Sequence, residues 1–149
     1  MPNLVVTKNN PFGLIIEKPF FRDELVGRDV AFTADTILKP GTVLRRTWGG
    51  GNLQYNLIPA HLEDIVPTPP IALTNYPVAI LMEELDLTVP NVPLPTRVLI
   101  SGTVREDSLF YYVNETTAPL PVTKEAKDML KVNSIIAIDV QQLAELDNN

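Results

Sequence analysis

The 149-residue chain contains no cysteine. That excludes disulfides, thiolate nucleophiles and cysteine metal sites, and it fits a reducing cytoplasm. Histidine is scarce as well, His61 being the single one. A Ser-His-Asp relay or a histidine-bearing metal site would have to use it. No apolar run approaches the roughly 18 residues of a membrane span. The start, "MPNLVVTKNNPFG", has no basic segment followed by a long apolar one, so it does not read as a secretory signal. Basic residues are outnumbered: 12 Lys and Arg face 18 Asp and Glu, a formal net charge of −6. Affinity for a phosphate backbone comes largely from Lys and Arg releasing counterions, so this balance opposes nucleic-acid binding. The pair Arg45-Arg46 does not reverse it, because neighbours on a strand point to opposite faces.

Proline and apolar residues are plentiful. The hydrophobic share of 45% excludes disorder throughout, and 149 residues fit one domain around one ordinary core. The 14 prolines approach twice the usual share of about 5% and cluster at 67–70, 90–95 and 119–121. Proline lacks an N–H and fixes φ, so these clusters are loops or edge segments of pre-set geometry. Such loops lose less entropy on ordering than ordinary ones.

Between them the chain reads as strands. "RDVAFTAD" (28–35) alternates, with Val30 and Phe32 on one face. Pro40-Gly41 carries the signature of a type II turn, and "TVLRRT" continues as a strand. "PVAILMEE" (77–84) and "RVLISGTV" (97–104) are apolar enough to be buried strands, Gly102 marking a bulge or a close backbone approach. "SLFYYV" (108–113) and "SIIAIDV" (134–140) complete the set. One helix is predicted over 123–133: Thr123 caps it, Glu125 suits its first turn, and Ala126, Met129 and Leu130 form its apolar stripe. The fold class is mostly β, a small α+β domain with one short helix. Residues 1–20 read as an extended arm, 21–140 as a single domain with a Gly/Pro-rich insert around 48–76, and 141–149 as a polar tail.

Catalytic constellations find little support. His61 has Glu63 and Asp64 nearby, but the chain has no G-x-S-x-G elbow, and a metal set would lack a second histidine or cysteine. Glu83, Glu84 and Asp86 form the densest acidic cluster, a pattern that also solvates the end of a strand. "GGG" at 49–51 lacks the Lys-Ser/Thr of a phosphate loop. Trp48, Phe20, Phe21, Tyr111 and Tyr112 could stack on bases, as in OB-like single-strand binders, and that is the second reading; the charge balance opposes it. A hydrolase using His61 is a third. The residues themselves favour a binding or assembly role, with no enzyme activity, metal or cofactor expected.

The order of segments carries a more specific signal. "ILKPGTVLRRT", then "YPVAILMEELDLT", then "PTRVLISGTV", then a short helix ending in "NSIIAIDV", resembles the phage lambda-type head decoration proteins. That family has a "GxVL" strand after an early turn, matched by Gly41, Val43 and Leu44. Its "AxxIL" strand with an acidic residue following is matched by Ala79 to Leu81 with Glu83, Glu84 and Asp86. Its "VLxxGxV" strand is matched by Val98, Leu99, Gly102 and Val104, and its closing "GI" strand by Ser134-Ile135, with serine where glycine is usual. The likeness spans residues 27–140; the longer N-terminal segment and the stretch 48–76 depart from it.

The resemblance implies a homotrimer on the outer surface of the virion head, made in the host cytoplasm. It would bind the expanded capsid at three-fold and quasi-three-fold positions and hold the major capsid protein against DNA pressure, with no nucleic-acid or membrane partner. It also implies a capsid-binding arm, for which Leu4, Val5, Val6, Leu14, Ile15 and Ile16 are the apolar candidates, available for strand addition. Trp48, Pro90, Pro93 and Pro95 are the candidate loop contacts. Full burial of Leu4, Val5 and Val6 gives about 5–8 kcal/mol gross. Ordering the arm costs about 1–2 kcal/mol per residue, so one arm is marginal and three on one trimer act together.

Overall fold

The computed structural model describes residues 13–47, 53, 56–60 and 77–139. These residues form β1 (Ile15–Val26), β2 (Ile37–Leu38), β3 (Val43–Arg46), β4 (Leu57–Pro59), β5 (Pro77–Leu81), β6 (Leu85–Asp86), β7 (Leu94–Arg105), β8 (Phe110–Tyr111), β9 (Leu120–Pro121), α1 (Lys124–Val132) and β10 (Ile135–Ile138). The fold is mostly β with one helix, a small α+β domain as the composition and patterning predict.

The main sheet runs β1-β4-β3-β5-β7-β10, and β1 also pairs with β7. Five strands therefore close into a ring. One junction is slender: β1 meets β4 at Val26 and Leu57, reinforced by Gly27 N–H donating to the Leu57 carbonyl at 2.9 Å. The other is long, with β1 antiparallel to β7 from Ile15–Val104 to Val26–Leu94. Each ring strand sends apolar side chains into one core: Val26, Leu57, Leu44, Ala79 with Leu81, and Val98, joined by Phe32, Leu38, Leu85, Leu87 and Tyr112. The opposite faces of β3, β5 and β7 carry Val43, Ile80 and Leu99 into a second core, covered by Leu14, Ala126, Leu130 and Ile135. Both faces of β5 and β7 are thus buried at their centres, which is why "PVAIL" and "VLI" are apolar without alternation.

Local signals read from sequence hold where they are local. Thr123 Oγ accepts from the Ala126 N–H at 3.1 Å, and Asn133 ends the helix while its side-chain amide donates to the Pro77 carbonyl at 3.0 Å. Gly41 has φ +96° in the Lys39–Thr42 turn, closed by Thr42 N–H donating to the Lys39 carbonyl. Gly102 serves as both bulge and close approach. The β1 register slips opposite it, and a Cβ there would lie 3.0 Å from the Lys18 carbonyl oxygen.

Four expectations are corrected. The arm does not extend to residue 20: Leu14 and Ile15 lie in the outer core, and Ile15–Val26 is the partner that the second edge of β7 requires. The stretch 48–76 is not merely an insert, because Leu57–Pro59 is a ring strand. Residues 28–35 are no strand. The Asp29 carboxylate accepts from the Phe32 N–H at 2.9 Å and turns the chain, leaving Val30 62% exposed and Phe32 2% exposed. The strand at 108–113 shrinks to Phe110–Tyr111, since Asn114 Oδ1 accepts from the Thr116 and Thr117 N–H groups and turns the backbone.

Two stability predictions follow from these contacts. Ser134, at φ +67°, occupies the left-handed region just before β10, while its carbonyl accepts from the Gly102 N–H at 3.0 Å. That conformation costs a residue with a Cβ about 1–2 kcal/mol, and glycine returns about half of this as unfolded-chain entropy. Ser134→Gly is expected to raise stability by about 0.5–1 kcal/mol in urea unfolding. The second concerns Tyr112, packed edge-to-face on Phe32 with centroids 4.9 Å apart and donating to the Asp35 carboxylate at 3.0 Å. Burial first, then the charge of Asp35, push its phenol pKa above the ordinary 10.0. The folded chain keeps a proton that the unfolded chain releases above that value, so stability falls as pH climbs past it. Tyr112→Phe is expected to reduce this alkaline loss, read by unfolding at about pH 9 and pH 11.

Candidate interaction surface

A single arginine organises the most distinctive surface. Arg28 follows β1 and is only 7% exposed. Its guanidinium donates to the carbonyls of Phe32 at 2.9 Å, Thr88 at 2.8 Å, and Leu87. Its own carbonyl accepts from the Asn91 N–H at 3.0 Å. A Cβ on Gly27 would meet Pro93 Cβ in the 87–93 loop at 3.2 Å and, from the segment between β3 and β4, Leu53 Cδ2 at 2.6 Å. The 87–93 loop is thereby fixed to the end of β1. It carries apolar side chains outward: Val89 is 60% and Val92 49% exposed.

β7 begins where this loop ends. Leu94 is partly exposed, and Pro95 stands opposite Leu25, itself 45% exposed. Cross-strand partners share a face, so Leu25 and Pro95 lie side by side, whereas Leu94, paired with buried Val26, lies on the opposite face of the strand. Val89, Val92 and Leu94 line a shallow hollow of about 320 Å³ together with Asp86, Leu87 and Thr88. The Thr88 hydroxyl and its N–H both donate to the Asp86 carboxylate, holding that carboxyl below the usual carboxylate range.

Of the residues expected from sequence to make contacts, Pro90 and Pro93 are half-buried within this loop and Pro95 is exposed beside it. Trp48, Leu4, Val5 and Val6 lie outside the described residues, as does His61. Leu14 and Ile15 face the protein's own outer core and Ile16 is half-buried. Sequence reasoning missed Leu25, Val89, Val92, Leu94 and Arg28. The proline cluster marks the loop, while the contacts that Arg28 and Gly27 make with it lie far away in the chain.

The chain matches no family model, no curated protein and no solved structure.

Elsewhere on the described surface, several basic side chains are paired with acidic ones. Arg46 reaches Glu24 at 2.7 Å, Arg22 the same carboxylate at 3.1 Å, Arg105 reaches Asp107 at 3.0 Å and Lys127 reaches Glu106 at 2.7 Å. Basic side chains engaged in this way do not form a track for phosphates. Tyr111 and Tyr112 are buried in the two cores, so they offer bases no platform. Glu83 and Glu84 are exposed between β5 and β6, and among the described residues no three acidic or histidine side chains stand close enough to hold a metal ion. Among the same residues no helix is long and apolar enough to cross a membrane.

Proposed function

We propose that the chain is a head decoration protein of a tailed bacteriophage, a β-rich clamp that binds the outside of the expanded capsid as a homotrimer. The observation that carries this reading is Ser134. The resemblance places a glycine there, and the backbone at this position is left-handed, the conformation glycine adopts without strain. The other segments of the resemblance fall in ordered elements of this fold, which is compatible with the reading. Gly41 makes the turn into β3, Ala79–Leu81 ends β5, and Val98 to Val104 lies in the C-terminal part of β7. The major capsid protein is the partner in this reading, and chemistry is not part of the role.

The arm in this reading is the segment ahead of Gly13. Removing residues through 16 would strip Leu14 and Ile15 from the outer core and unfold the protein, so a truncation must stop at residue 12. Heads filled with DNA but lacking this chain are expected to lose their DNA on mild heating. Adding the full chain is expected to prevent that, and the truncated chain to protect less. Equal DNA release with and without the full chain would sink the proposal.

A further inference from the structure

Among the described residues the main sheet has two open edges, and they are built differently. β1 meets β4 only at Val26, so most of its second edge has no partner strand there. That edge is guarded. Glu17, Lys18, Arg22, Asp23 and Glu24 bring charge, Pro19 withholds a donor, and the register against β7 shifts repeatedly between Ile15 and Phe21. β10 ends the strand order and pairs on one side only, with β7. Its sequence, Ile135-Ile136-Ala137-Ile138, has no charge, no proline and no register shift.

Register fixes where its main-chain groups point. Gly102 N–H donates to the Ser134 carbonyl at 3.0 Å, and Ile135 lies in register with Gly102. In a parallel ladder Ser134, Ile136 and Ile138 therefore turn their main-chain groups to β7, and Ile135 and Ala137 turn theirs to the open edge. Side chains alternate across the same strand. Ile135 and Ala137 pack in the outer core, which leaves Ile136 on the other face, 44% exposed. An apolar edge without guards is a template for another strand.

We propose that β10 pairs antiparallel with β10 of a second copy about a twofold axis, Ile136 standing opposite its equal. Ile135 of each copy then exchanges both main-chain hydrogen bonds with Ala137 of the other, and the two exposed isoleucines cover one another. Charge selects this occupant and this direction. Lys131, exposed, stands just before the strand, and Asp139, exposed, just after it. Antiparallel pairing brings Lys131 of each copy toward Asp139 of the other, whereas parallel pairing sets like against like. A strand of four residues makes a small contact, so the pairing is weak and depends on concentration. The pairing does not rest on the decoration reading, because it doubles whatever species the chain otherwise forms.

The test is sedimentation equilibrium of the full chain from dilute to near-millimolar concentration. Ala137→Pro removes a donor that faces away from β7, so the β7 ladder keeps its bonds, and Ile136→Lys charges an exposed position. At the top of the range wild type is expected to weigh twice as much as either variant, and Leu120→Lys on β9 to match wild type. Lys131→Glu is expected to weaken the association about tenfold, and the double reversal Lys131→Glu with Asp139→Lys to restore it. Equal masses for wild type and both edge variants would overturn the proposal. So would a ratio other than two, which would mean a contact that does not close, or a double reversal no better than the single one. Binding to expanded heads is read separately. Edge variants that bind heads as wild type does, with no doubling anywhere, leave the decoration role standing and remove this contact. A chain that doubles but binds no head leaves this contact standing and removes that role.

Discussion

Replacing Arg28 by alanine is expected to lower folding stability by about 3–4 kcal/mol, a fall in melting temperature of roughly 10 °C for a chain of this size. Hydrogen bonds from a charged donor contribute about 1.5–3 kcal/mol each, and relief of the guanidinium's own desolvation offsets part of the sum. The loss is large because the three acceptors are carbonyls of separate segments, Phe32 on one side and Leu87 and Thr88 on the other. Phe32 and Leu87 both place side chains in the ring core, so freeing their backbones loosens it. Arg28→Lys keeps the charge, but one ammonium cannot reproduce the planar fork that spans three carbonyls, and it should recover no more than about a third of the loss. A melt of Arg28→Ala within about 1 °C of wild type would contradict this account of the loop.

Gly41→Ala is expected to cost about 3–5 kcal/mol or to prevent folding. Two penalties combine. The residue sits at φ +96°, and a Cβ there would lie 2.0 Å from the Ser108 carbonyl oxygen. That oxygen is backbone, in the 3-10 turn Glu106–Ser108, and it cannot swing away. The Gly41 N–H also donates to the Leu81 carbonyl at 2.8 Å and its carbonyl accepts from Phe110 N–H at 2.9 Å, so the turn cannot shift without breaking both. Gly41→Asn separates the two causes. Asparagine tolerates a left-handed backbone but carries the same Cβ, so it should be nearly as damaging as alanine in urea unfolding. Rescue by asparagine would show that the backbone angle, not the contact, is what glycine satisfies.

The elements legible in sequence are those whose causes are close by in the chain. Thr123 announces α1 through its own cap, Pro40-Gly41 announces its turn, and the apolar runs of β5 and β7 announce burial on both faces. β1 was not legible as a strand. Its sequence, "IIEKPFFRDELV", mixes charge, proline and aromatics because most of it is exposed, with Lys18 at φ +50° and Pro19 beside a register shift. Charge, proline and bulges are the means by which an exposed strand resists wrong pairing, and they erase the alternation that would reveal it. The strand expected at 28–35 failed for a related reason: alternation of Val30 and Phe32 lost to the side-chain turn of Asp29 and the distant carbonyls that Arg28 finds.

The candidate surface was half legible. Three prolines mark 90–95 as a stiff segment, but how it is held shows only when Arg28 and Gly27 fix it against the end of β1 and Pro95 pairs with Leu25. The aromatic residues behaved oppositely: Tyr111 and Tyr112 looked available for stacking and are core.

The central claim is attachment to an expanded head, and sedimentation tests it most directly. Purified chain is mixed with expanded and with unexpanded heads of the same phage, and the bound protein is counted against the major capsid protein. The decoration reading predicts saturable binding to expanded heads alone, with bound chain released as a species of three times 16.5 kDa. Protein that stays in the supernatant with both kinds of head would contradict it.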